Sequence, residues 1–196
     1  MSLTMMKAKH NYLTLLTTTA SFLVSIVANP AAAFPTKPID IQPITPQSIL
    51  VAKTNWKEFT QKDFTVSFPN NPSEKTEEIS QGSVAKTFTA TSEEGYYALS
   101  YFEMPSEIGK LPDNLKQVFL EAMIDIAMPS AGAEVKDKES ISLNDHPGME
   151  FNFTYQNIVA GKGRVYLVGD RGYMLMSMTT LDSNSQKFFE SFKLLN

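Results

Sequence analysis

The chain has 196 residues, a formal net charge of −4, a sequence pI of 5.2 and no cysteine. Without cysteine there is no disulfide scaffold, thiolate metal site, cysteine nucleophile or lipidated N-terminal cysteine. No basic cluster could follow a phosphate backbone, so nucleic acid is excluded as a partner class.

Residues 1–33 read as a signal peptide. Lys7, Lys9 and His10 give a weakly basic start, Tyr12 to Ala28 a mostly apolar core, and Ala31-Ala32-Ala33 the small residues a signal peptidase requires. That core carries several Thr and Ser and is shorter than the roughly 20 apolar residues that span a bilayer. A cleaved leader is expected in preference to a retained anchor, leaving no transmembrane segment. Removing Lys7 and Lys9 leaves 15 basic and 21 acidic residues, a net charge of −6. The expected location is outside the cytoplasm, in a periplasm or a thylakoid lumen.

Residues 34–54 hold Pro35, Pro38, Pro43 and Pro46. Proline donates nothing to a ladder and drives its predecessor toward extended backbone, so this stretch is expected to be an arm. One domain then follows over residues 55–196, long enough for a single core.

Trp56 and Phe59 open that domain. Phe64, Val66 and Phe68 alternate with Thr65 and Ser67, which predicts a strand ending at Pro69-Asn70-Asn71-Pro72. Strands are predicted over 74–80, 84–91 and 96–104, with short connections at Gln81-Gly82 and Glu93-Glu94-Gly95. A helix is expected over 112–129, from Pro112-Asp113 to Pro129. Its main apolar face reads Leu115, Val118, Phe119, Ala122, Met123 and Ile126. Beyond it, a four-strand meander is expected from Val135 to Thr180, turning at Asn144-Asp145-His146-Pro147-Gly148. A last helix starts at Ser183 with Gln186 at capping-box spacing, burying Phe188, Phe192 and Leu195. The fold class is therefore α+β: a central antiparallel sheet of about seven or eight strands flanked by helices on both faces, an α/β/α sandwich.

Candidate chemistry is sparse. His146 is the one histidine after the leader, and beside Asp145 it could act as acid or base in a small hydrolase or ligand-binding enzyme. The plainer reading makes it a turn residue. With no second histidine and no cysteine, no metal or cofactor site is expected. Gly161-Lys162-Gly163-Arg164 lacks the setting of a phosphate loop and reads as a hairpin loop. Met174, Met176 and Met178 share one strand face and suit either a core or an adaptable binding surface.

The middle helix also carries a second stripe. With Leu115 at zero on a wheel of about 100 degrees per residue, Leu120, Ile124 and Met128 fall near 140, 180 and 220 degrees, away from the larger face. If the larger face packs on the sheet, this stripe points outward and needs a cover. The arm, with Ile39, Ile41, Ile44, Ile49 and Leu50, could supply one. Because four prolines favour an extended arm, the expectation is that Leu120, Ile124 and Met128 bind a protein partner.

Several phrases, in order, resemble the PsbP family and its relatives, including DcrB-type bacterial domains. They are Trp56-x-x-Phe59, Phe64-Thr65-Val66-Ser67-Phe68-Pro69, His146-Pro147-Gly148-x-x-Phe151, Tyr173-Met174-Leu175 and Lys187-Phe188-Phe189-Glu190-Ser191-Phe192. The resemblance spans most of residues 55–196. It implies a PsbP-like α/β/α domain in a lumenal or periplasmic protein. In photosynthetic members it implies association with photosystem II, in assembly or in retaining calcium and chloride. Here it implies a non-enzymatic binding or assembly module that docks on a membrane complex. The photosystem-bound cyanobacterial relatives are lipoproteins, and this chain has no cysteine to acylate.

Overall fold

Alternating apolar and polar side chains stiffen more than half of the described residues into strands, and one 18-residue helix joins the two halves of the sheet they form. The computed structural model describes residues 55–80 and 83–195. The expected leader and arm lie outside them.

Among the described residues ten strands occur in order: β1 Lys57–Thr60, β2 Phe64–Phe68, β3 Ser73–Ser80, β4 Ser83–Ser92, β5 Gly95–Glu103, β6 Ala133–Leu143, β7 His146–Tyr155, β8 Val159–Val168, β9 Arg171–Thr179 and β10 Lys193–Leu194. The helices among these residues are α1 Ser106–Gly109, α2 Asp113–Ser130 and α3 Asp182–Glu190. Seven strands form one antiparallel sheet in the order β3-β4-β5-β9-β8-β7-β6. α2 carries the chain from β5 near the centre to β6 at the far edge, and the meander β6 to β9 brings it back beside β5. On the opposite face lie α3 and a three-stranded sheet, β1-β2-β10, that joins both ends of the domain. The expected α+β fold is present, with this small second sheet as an addition.

The central hairpin is tighter than the sequence suggests. Leu143 pairs with His146, so only Asn144 and Asp145 turn the chain, with φ of 47° and 65°. Two left-handed residues make the mirror-image turn whose twist matches a hairpin. His146, Pro147 and Gly148 already belong to β7. Pro147 is tolerated there because β8 pairs with β7 only from Gly148 onward.

Gly161-Lys162-Gly163 is not a hairpin loop but part of β8, and the turn falls earlier, at Gln156 and Asn157. The glycines answer to rings. Gly161 stands opposite Phe153, and Gly163 opposite Phe151. A Cβ would come within 2.4 Å of the Phe153 ring at the first and 2.2 Å of the Phe151 ring at the second. Both rings are fully buried and cannot swing aside.

The larger correction concerns α2. Leu120, Ile124 and Met128 are completely buried and pack with Met149, Phe151, Val165 and Met176 of the sheet. They belong to the core, so no partner reaches them on the folded domain. The helix is turned by about a third of a revolution from the expected orientation: Phe119 and Met123 of the expected face stay buried, while Leu115 and Val118 are exposed. At the C-terminal end, α3 starts without a side-chain cap bond, and Ser185 instead shares a hydrogen bond with Ser177, 2.9 Å apart. Leu195 follows β10 and is exposed.

Candidate functional site

The chain has two arginines, Arg164 and Arg171, and each anchors a surface groove on the face of the sheet that carries α3. Arg171 opens β9 directly opposite Glu103, the last residue of β5. Its Nε donates to Glu103 Oε1 at 2.8 Å, and its Nη1 to Asp63 in the turn before β2. The guanidinium lies 5.2 Å from the centre of the Tyr101 ring. One side chain thus ties the small sheet to the large one. The backbone of Asp63 extends the tie by accepting a 2.9 Å bond from the Leu195 N–H.

Around this clamp is an open groove of about 400 Å³, lined by Asp63, Asn144, His146, Asp170, Arg171 and Tyr173 among others. Burial raises the Tyr173 hydroxyl above its ordinary range, against the opposing pull of Arg171. Burial also works against charge on Arg171, yet bonds to Tyr173, Glu103 and Asp63 hold it more firmly protonated than usual. The guanidinium donors that could grip an anion are therefore directed to the protein's own carboxylates.

His146 lines this groove, as a candidate acid or base should. Asp145 does not: it holds the left-handed turn position, and among the described residues no hydrogen bond or ion pair joins it to His146. The two residues proposed to cooperate are neighbours in sequence but not a dyad in space. Among the described residues, no group of three or more His, Asp or Glu converges to hold a metal ion.

Arg164 organises the second groove, about 510 Å³, between α3 and strands β7 and β8. Its Nε donates to Glu150 Oε2 at 2.6 Å across the β7–β8 pair, and its guanidinium sits 4.9 Å from the centre of the Phe189 ring. Lys162 stands 3.3 Å from the same carboxylate. Burial raises the Glu150 carboxyl, but Arg164 and Lys162 outweigh it and hold the group below its ordinary range. Asn152, Ser185, Gln186 and Glu190 complete a polar wall. Both grooves are open and largely polar, and among the described residues neither presents an activated nucleophile beside a base.

Both clamps escaped the sequence reading, although a signal was present. In a chain with fifteen lysines, two arginines that each follow a turn or glycine pair and precede an apolar strand mark places where a planar guanidinium pairs with a carboxylate and lies over a ring.

No protein-family model matches the sequence, and no curated protein matches it. Solved structures do. The solution structure of cyanobacterial PsbP (CyanoP) from Synechocystis sp. PCC 6803 superposes with a TM-score of 0.50 at 14% identity, covering 74% of this chain and 95% of that one. A fainter likeness, with a TM-score of 0.38 at 10% identity, is to a Pseudomonas aeruginosa protein of unknown function, over 67% of this chain and 87% of that one. The PsbP-like fold read from the sequence is thereby shown, while the DcrB-type likeness remains an expectation. No helix among the described residues is long and apolar enough to cross a membrane.

Proposed function

We propose that this protein is exported and works without catalysis, as a PsbP-like binding or assembly module docking on a membrane protein complex from its lumenal or periplasmic side. In a photosynthetic cell that complex is photosystem II. The observation that carries this reading is the fold shared with CyanoP across nearly the whole of that protein. A leader-like start at residues 1–33 supports export. The arginines of both grooves are engaged by carboxylates, as in a structural clamp.

The test is to tag the chain at its C-terminus in its native host, crosslink intact membranes and identify the complex retained. The expected result is a processed chain beginning near Phe34 that migrates with one membrane complex. A chain that stays in the cytoplasm with its leader attached would overturn the proposal. So would a hydrolytic activity that His146→Ala lowers about 100-fold.

A further inference from the structure

The outer face of α2 carries a run of apolar side chains that the core does not use. Leu115 is 47% exposed and Val118 60%, Ala122 and Ile126 are half-buried, and Pro129 is exposed. Spacings of three, four, four and three residues place all five in one line along the helix. Single exposed apolar residues are ordinary, but a continuous line four turns long is not.

Charge around the line is one-sided. From Gln117 to Ser130 there is no Lys or Arg. Glu121 and Asp125 flank the line, each side chain 52% exposed, and they share one cation, Lys138, at 3.1 and 2.7 Å. The last turn of α2 has no basic residue to offset the negative end of the helix dipole. The surface therefore combines an apolar ridge, a notch at the small Ala122, and a surplus of negative charge toward its C-terminal half.

We infer that this face is the docking surface, and that its occupant is a partner protein's amphipathic helix with Lys or Arg along one side of its apolar ridge. The inference rests on the docking reading above and gives that partner its chemistry. A ridge seats in the notch between Val118 and Ile126, and a flanking cation meets Glu121 and Asp125. A second copy of this face would bring two more carboxylates and only Lys138, which its own pair already shares. An anionic lipid surface would repel it.

The experiment titrates the full chain with two synthetic helical peptides that share one leucine ridge, one flanked by lysine and the other by glutamate. Binding is followed through the methyl resonances of Leu115, Val118 and Ile126. The lysine-flanked peptide should shift these methyls and bind at least about ten-fold more tightly than the glutamate-flanked one. Leu115→Ser with Val118→Ser should weaken it about ten-fold, and Glu121→Gln with Asp125→Asn about three-fold, each with an unchanged melting temperature. If the double serine variant melts early, Val118→Ser alone, at the most exposed position of the line, repeats the comparison.

Equal affinity for the two peptides overturns the inference, as does binding indifferent to the serine changes. Two further results overturn it: self-association of the full chain that the serine variant abolishes, and flotation with phosphatidylcholine–phosphatidylglycerol vesicles that depends on Leu115 and Val118. The two readings fail separately. Selective peptide binding by a chain that no membrane complex retains would sink the proposed function alone. A chain retained on its complex with the α2 face indifferent to both peptides would sink this inference alone.

Discussion

The two faces of the seven-stranded sheet are filled by different chemistry. Every buried methionine among the described residues, from Met104 to Met178, lies on the face covered by α2. None lies on the other, where nine Phe and Tyr rings interlock with α3 and the small sheet. Methionine is unbranched and adapts to irregular gaps, whereas an aromatic layer depends on fixed ring geometry. The difference follows from what each face must hold. One receives a single continuous helix. The other must join residues 56–68 to residues 182–195, from opposite ends of the domain, and rings that lock in one arrangement can do so.

The largest effect should come from breaking the α2 face outright. Leu120→Ser with Ile124→Ser removes two fully buried side chains and leaves hydroxyls in their place. Each truncation alone costs about 2–5 kcal/mol, against a typical total stability of about 5–15 kcal/mol. The double variant should be largely unfolded by circular dichroism. A cooperative melt near the wild-type temperature would mean that these residues are not core.

Next comes the contrast in tolerance. Phe64 lies 5.8–6.1 Å from the ring centres of Phe88, Tyr101, Tyr173 and Phe192. Phe64→Ala should cost about 3–5 kcal/mol in urea unfolding. Met176→Leu, at an equally buried site on the other face, should cost less than about 1.5 kcal/mol. Similar costs for Phe64→Leu and Met176→Leu would erase the distinction between the faces.

What the sequence made legible divides along the same line. The meander and α2 were readable because their signals are local: period two in Met149, Phe151, Phe153 and Tyr155, and recurrence at three and four in α2. Which way α2 faces was not readable from the number of apolar residues, since both sides of that helix carry them. Glu121, Asp125 and Asn114, clustered beside Val118 on the wheel, were the better guide to solvent. The small sheet was invisible for another reason. β10 is two residues long and exists only because β2, more than a hundred positions earlier, pairs with it. The site was less legible than the fold. His146 lines a groove, but the clamp beside it, Arg171 with Asp63 and Glu103, comes from three distant segments.

The arginine clamps belong to the aromatic face and give smaller effects. Arg171→Met should cost about 1–2 kcal/mol, because its partners are nearly half exposed and such pairs are individually weak. Hydrogen exchange should quicken at the Leu195 amide, which bonds to Asp63. Unchanged exchange there would mean that the clamp does not hold the small sheet.

Glu150 adds a pH dependence with a definite sign. Its folded carboxyl titrates below the ordinary value of 4.5, so its pairing with Arg164 and Lys162 stabilises the fold fully above that pH. The contribution is lost as pH falls through the lowered value. Wild type should exceed Glu150→Gln in stability near neutrality, and the two should converge in acid. A gap that widened on acidification would reverse the assignment.

The smallest expected effect is also the sharpest statement about α2. Leu115→Ser with Val118→Ser changes as many apolar side chains in the same helix as the Leu120 and Ile124 pair. Composition and propensity scarcely distinguish the two variants, since leucine or a β-branched residue gives way to serine in each. Only the direction of the helix separates them. At exposed positions away from caps and pairs, substitutions usually stay within about 0.5 kcal/mol. Removing exposed apolar area should therefore leave the melting temperature nearly where it was, while the inner pair abolishes folding. Equal destabilisation by both pairs would mean that α2 packs on two sides and that its outer line is covered within the chain, leaving no surface there for a partner helix.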